Sequence, residues 1–400
     1  MKAARYGDVK SCTEKEIMEA YLDNSATTKV SEAVKDIVVQ TMMVDYGNPS
    51  SRHQKGVDAE RYVREARERI AATLKVKDRE IYFTSGGTES NNWALIGGAL
   101  ANRRAGKHII TTAVEHAAVL QPLSFLKDMG FRITYLPVDE HGHISLDDLK
   151  AQLDQDTILV STMYVNNEIG AVEPIDEIGE LVKDYNEQIL FHVDAIQAYG
   201  KYRIFPEKLH IDLLSVSGHK IHGPKGSGFL YIHEKAKVRP LIYGGGQQRG
   251  MRSGTENVPG CAGLGVAAME AYTDFEQKVD SMRACKKRLM KGLSGVEGAH
   301  IISLEEEAPQ IVSCSFEGVR SEVFLHALEE KGVYVSSGSA CSSNKKTPVS
   351  TVLQEIHLSP QMQDSTLRFS FCDTTSFEEI DYALSCIREL YPVLKRYMRR

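Results

Sequence analysis

No stretch of the chain approaches the roughly 18 consecutive apolar residues that a membrane-spanning helix requires. The opening segment, MKAARYGDVKSCTEKE, has no apolar core and carries acidic residues, so neither secretion nor organelle import is expected. None of the seven cysteines stands in a CxxC pair, and their odd number and wide scatter make no disulfide framework. No structural zinc site is expected at such spacings, and no metal is assigned. A reducing cytoplasm is the natural setting, and there a single conspicuous cysteine is more often chemical than structural. Excess positive charge is missing too. A formal net charge of -6 argues against broad nucleic-acid binding, which needs a basic surface. The basic end LKRYMRR could receive an RNA or an acidic partner, but a solvated helix end with dipole-matched cations is the simpler reading.

What remains is an ordinary globular composition, 42% hydrophobic and 26% charged, over 400 residues. That length exceeds the usual limit for one core and predicts two domains. From about residue 79 to 232, short apolar runs alternate with amphipathic stretches. EIYFTS, KHIITTAV, RITYLPV, TILVSTMYV, ILFHVDA and IDLLSVS read as buried strands. ESNNWALIGGALANRRA, SLDDLKAQL and IDEIGELVKDYNEQ read as helices between them. Such alternation predicts an α/β fold with a mainly parallel, doubly wound sheet. After the Gly-rich YGGGQQRGMRSGTENVPG the texture changes to a smaller α+β unit. It closes on a helix whose apolar positions Phe377, Ile380, Leu384, Ile387, Tyr391 and Leu394 keep a helical period.

In open α/β sheets ligands lie beyond the carboxyl ends of the strands. Those ends carry Gly86, Gly87 and Thr88; Glu115 and His116; Asn166 and Asn167; Asp194 with Gln197; and His219 with Lys220. The Gly-Gly-Thr turn opens a helix and suits an anion, although a tight turn with a capping Thr explains it equally well. GxGxxG and Walker spacings are absent at these turns. An Asp after an apolar strand needs a positive partner, and a desolvated Lys can form a Schiff base. Asp for a pyridinium nitrogen, Lys for an aldehyde and a helix start for a phosphate together suit pyridoxal 5'-phosphate (PLP). An ordinary Asp194–Lys220 salt bridge is the plainer alternative. Ser217 and His219, alternating with the strand period, are expected to face one ligand. His116 could stack on the ring or merely cap a helix.

One segment fits no packing role. SSGSACSS, 336–343, surrounds Cys341 with small polar residues that have little to bury. It reads as a loop with an incidental thiol or as a nucleophile on a flexible arm. The neighbouring lysines at 345 and 346 could favour a thiolate or simply be a solvated face.

The ordered segments YLDNSATT, GNPSSRH, FTSGGTESNN, VEHAAV, VNNEIG, HVDAIQ, SGHKIHGPKG, GGGQQRGMRSGTENVPG, SSGSACSS and LRFSF resemble cysteine desulfurases of the NifS/IscS type. These are class V aminotransferase-like enzymes of PLP fold type I. The resemblance implies a large cofactor domain over 28–275 and a small domain from 1–27 and 276–400. It implies that Lys220 carries PLP, Asp194 pairs with the ring nitrogen, Gln197 meets the ring hydroxyl and His116 stacks on the ring. Gly87, Thr88, Ser217 and His219 would hold the phosphate, with Thr255 entering from a second subunit of a homodimer. Asn167 and Arg368 would bind the carboxylate of L-cysteine, with Asn48 nearby, and Cys341 would accept the sulfur as a persulfide. His116 is also the candidate for handling the substrate thiol proton. Iron–sulfur scaffolds and tRNA sulfurtransferases are the implied acceptors. A selenocysteine lyase or plain aminotransferase on the same scaffold is the alternative, as is a silent scaffold for sulfur-transfer partners. The segment SFCDTTSFEEID departs from the pattern around Cys372, and the remaining cysteines read as filler in helices or strands.

Overall fold

The computed structural model describes residues 18–337 and 350–398. Cys341, the lysines at 345 and 346, Cys12 and the last two arginines lie outside the described residues.

Seven strands form the larger sheet, in spatial order Ile81–Thr84, Gly228–Ile232, Leu213–Ser217, Leu190–Asp194, Thr157–Met163, His108–Thr112 and Arg132–Leu136. All six predicted strands are present. The unforeseen one is Gly228–Ile232, antiparallel to both neighbours, while the other adjacent pairs run parallel. The link back from Ser217 is too short for a crossover helix, so the next strand must return antiparallel. The strands from Thr157 to Ser217 are buried at every position, as expected of a sheet covered on both faces. Inside this layer lies His192, whose nitrogens meet Ser161 Oγ at 2.8 Å and Ser215 Oγ at 3.0 Å. Burial drives its pKa down to about 3, so it is a neutral structural group.

Helix Gln54–Leu74 lies against helix Val258–Tyr272 beside this sheet. The approach is close at Gly265, where an added Cβ would sit 2.6 Å from the Ala66 Cα.

A second sheet of four strands, in the order Ser336–Ser337, Thr366–Ser370, Ile311–Phe316 and Ala299–Ile301, is antiparallel throughout. Its core joins Ala20 and Leu22 to Val312, Phe316, Phe369 and the closing helix Phe377–Met398. That helix buries Ile380, Leu384, Ile387 and Tyr391, each contributing about 1.5–3 kcal/mol on full burial. Phe377 departs from the predicted stripe: it is exposed at the first turn, under the Arg288 guanidinium at 5.0 Å.

No helix among the described residues is long and apolar enough to cross a membrane.

Candidate active site

The carboxyl ends of the parallel strands converge with one loop of the N-terminal region. Asp194 ends its strand in a fully buried position. Its Oδ2 accepts from Asn91 Nδ2 at 2.7 Å and its Oδ1 from the Ile196 N–H at 3.0 Å. Burial raises its pKa, against the pull of the Ile196 N–H, His116, Asn91 and Lys220. Glu115 lies in the same pocket, with Oε1 accepting from Thr112 and from the Met163 N–H at 2.7 Å. Burial, then the nearby Asp194, pushes its pKa well up.

Lys220 stands one strand over, but not on the strand. Leu213–Ser217 ends at Ser217, and Gly218–Lys220 turns as a 3-10 helix. The predicted strand alternation of Ser217 and His219 therefore fails, because the backbone has already left the pleat. His219 instead faces Thr27, Nδ1 to Oγ1 at 3.2 Å, and burial lowers its pKa to about 4. The Lys220 ammonium donates to the Ser25 carbonyl and, at 2.8 Å, to the Ala26 carbonyl. Gln197 Nε2 reaches the same Ser25 oxygen at 3.0 Å. Loop 23–28 is pinned in turn by Ser25 N–H to Ser370 Oγ at 2.8 Å and Thr28 Oγ to the His219 carbonyl at 2.9 Å. The pattern of YLDNSATT by itself assigns these residues no task. Nor does the sequence mark Asn91, whose direction depends on where its helix starts.

The Gly-Gly-Thr turn opens helix Gly87–Asn92, which continues through a π turn at Trp93–Gly97 into Gly98–Asn102. Gly86 adopts φ +143°, a region that disfavours side chains. A Cβ on Gly87 would lie 2.1 Å from Ile196 Cδ1, so any larger residue would displace that side chain. Ser217 borders both glycines.

His116 does cap its helix: its Nδ1 accepts from the Ala118 N–H at 3.0 Å. In the neutral ring this leaves the proton on Nε2, so His116 offers a donor there rather than a base. It lines a surface depression with Thr88 and Asn92.

Arg368, on strand Thr366–Ser370, is buried. One Nη donates to the Asn167 carbonyl at 2.8 Å and the other to Asp23 Oδ1 at 2.8 Å. Its Nε has no partner among the described residues. The structure thus brings Arg368 and Asn167 together. Asn48 is exposed, with Oδ1 accepting from the Ser50 N–H at 2.9 Å. Thr255 is exposed beside Thr84, Ser85 and Gly226 around a cavity of about 260 Å³.

These groups fit PLP. A buried carboxylate short of positive charge suits a ring N–H, the Gly86–Gly87 cradle suits an anion, and Lys220 supplies an amine.

The aminotransferase class-V family model matches residues 20–383. The chain belongs to this family. It is 43% identical over 376 residues to "Cysteine desulfurase IscS" of Methanosarcina thermophila, covering 94% of this chain and 92% of that protein. A solved "NIFS-LIKE PROTEIN" superposes with TM-score 0.89 at 39% identity, over 94% of this chain and 100% of its own. A structure titled "SspA in complex with cysteine" matches with TM-score 0.77 at 33% identity, over 89% and 100% of the two chains. Within the class V family these relatives put the chain among proteins of the NifS/IscS type, in line with the fold.

The cysteines divide sharply. Burial raises the thiols of Cys261 and Cys314 to about 12 and that of Cys285 to about 11, and Cys386 is buried as well. Cys372 is the exception to the filler reading: it follows Ser370 in neither helix nor strand and is only partly buried.

Proposed function

We propose that this chain converts L-cysteine to L-alanine, receives the sulfur on Cys341 as a persulfide and passes it to an acceptor protein. What carries the reading is the junction of buried Asp194, Lys220 and the glycine cradle in a chain whose relatives are named cysteine desulfurases. Residues 28–275 form the cofactor domain, and 1–27 with 276–400 the smaller one, a division favoured by the core that Ala20 and Leu22 share with the closing helix.

PLP, when bound, supplies an electron sink for bond breaking at the substrate's α and β carbons. Asp194 would pair with its ring nitrogen, Gln197 with its hydroxyl, and Gly87, Thr88, Ser217 and His219 would hold its phosphate. Thr255 joins them from the partner of a homodimer. Lys220 would anchor it and move the Cα proton. Arg368 takes the substrate carboxylate beside Asn167, with Asn48 at the rim. His116 would stack on the ring and handle the proton of the substrate thiol. The Cys341 thiolate attacks that sulfur: the S–S bond forms, the Cβ–S bond breaks, and its electron pair stays with the carbon that becomes alanine's methyl. Iron–sulfur scaffolds and tRNA-thiolating sulfurtransferases in the cytoplasm are the acceptors this chemistry suits.

The test is turnover of L-cysteine by the purified PLP-loaded protein with a reductant. Alanine and sulfide in equal amounts are expected. Pyruvate or transamination products without sulfide would overturn the reading.

A further inference from the structure

A cavity of about 790 Å³ runs from Lys220 and Gln197 to a cluster that the mechanism does not use. His222, Cys372 and Asp373 lie on its wall, with one donor atom from each within 4.8 Å of the others. The residues come from different layers. His222 follows the turn after the central strand Leu213–Ser217, and Cys372 and Asp373 follow strand Thr366–Ser370 of the smaller sheet.

The orientation of the imidazole decides what the cluster can do. Its Nδ1 is 2.8 Å from the Lys29 carbonyl, which can only accept, so Nδ1 carries a proton. Its Nε2 faces Asp373 Oδ1 at 3.2 Å, and a donor atom of Cys372 lies within 4.8 Å of one from each of these two residues. A nucleophilic triad needs the carboxylate and the thiol on opposite ring nitrogens. Here Nδ1 is taken by the Lys29 carbonyl and the carboxylate sits at Nε2 instead, so the arrangement is a set of three neighbouring donors and not a triad. Tetrahedral zinc with ordinary Zn–N, Zn–O and Zn–S lengths puts its ligand atoms about 3.3–3.6 Å apart. The 3.2 Å separation of Nε2 and Oδ1 is close to that.

Each donor also has an outer partner of the kind that orients metal ligands. His222 has the Lys29 carbonyl. Asp373 Oδ2 lies 3.4 Å from Lys278 Nζ. Cys372 Sγ has Thr374 Oγ at 3.1 Å and Thr375 Oγ at 3.7 Å. The Cys372 N–H donates to Thr375 Oγ at 3.0 Å, fixing the turn. His222 is held at φ +62°, an uncommon conformation for a residue with a side chain, with its N–H on Thr28 Oγ at 2.7 Å.

We infer that His222, Cys372 and Asp373 bind one divalent zinc-class cation, with the fourth position open to the cavity. Bound there, the ion clamps the turn after the central strand to the end of the smaller sheet. No CxxC spacing announces it, because the donors lie about 150 residues apart in sequence.

The test is equilibrium dialysis of the PLP-loaded full chain against Zn²⁺ alone, followed by metal analysis and thermal unfolding. One zinc per chain and a rise in Tm with added Zn²⁺ are expected. Cys372→Ser and Asp373→Asn should each weaken binding about tenfold or more and abolish the Tm rise. Cys341→Ala should retain both, which separates this site from the sulfur acceptor. No zinc uptake, uptake undiminished in Cys372→Ser and Asp373→Asn, or uptake lost only in Cys341→Ala would overturn the inference.

Discussion

Asn91 holds Asp194 with a 2.7 Å hydrogen bond from Nδ2 to Oδ2 at a wholly buried site. A hydrogen bond to a charged group is worth about 1.5–3 kcal/mol. Asn91→Leu removes that donor and should raise the Asp194 pKa further. PLP affinity, read by titrating the cofactor-free protein, should fall about tenfold or more, and Asp194→Ala should lose more still. Unchanged affinity in both would show that Asp194 does not meet the ring.

Arg368 is a fork already positioned on two sides, by Asp23 and the Asn167 carbonyl. A lysine cannot reproduce that planar geometry. Arg368→Lys should raise KM for cysteine about tenfold or more. Asp23→Asn should raise it less, because it loosens the fork without removing it. Steady-state kinetics decides, and an Arg368→Lys enzyme with normal KM would refute the carboxylate role.

Remote from the site, His143 bonds Glu307, and that contact outweighs burial to lift the imidazole pKa from 6.5 to about 9. A raised histidine pKa stabilises the fold fully below the unfolded value and loses that contribution as pH climbs through the folded one. Stability should therefore decline between pH 6.5 and about 9. The loss should be about 1 kcal/mol after allowance for solvent screening at this partly exposed pair. Denaturant unfolding across that range checks it, and Glu307→Gln should flatten this part of the profile. The same slope in Glu307→Gln would rule the pair out as its source.

The central strands were legible because doubly covered parallel strands must be runs of Ile, Val and Leu, and each ends where a polar group first becomes useful. The antiparallel Gly228–Ile232 strand was hidden only by attention to strand–helix alternation; the length of its link to Ser217 carried the signal. Strands of two or three residues, such as Ala299–Ile301, have no period to read. Arg368 came only with the family resemblance, whereas Asp194 and Lys220 stood out because each sets a charge at the end of an apolar strand. Asn91, Ser25 and the His222–Cys372–Asp373 cluster did not, because their partners come from distant parts of the chain. The 3-10 turn that carries Lys220 off the strand also changes the side-chain direction that period-two counting assigns to His219.

The central claim is that sulfur leaves substrate cysteine for Cys341, and mass analysis of peptides after brief exposure of the PLP-loaded protein to L-cysteine tests it most directly. One extra sulfur atom on the peptide bearing Cys341, removed by reductant and absent from Lys220→Ala protein, is the predicted result. A Cys341 peptide of unaltered mass while alanine accumulates, or the extra sulfur on another cysteine alone, would contradict it.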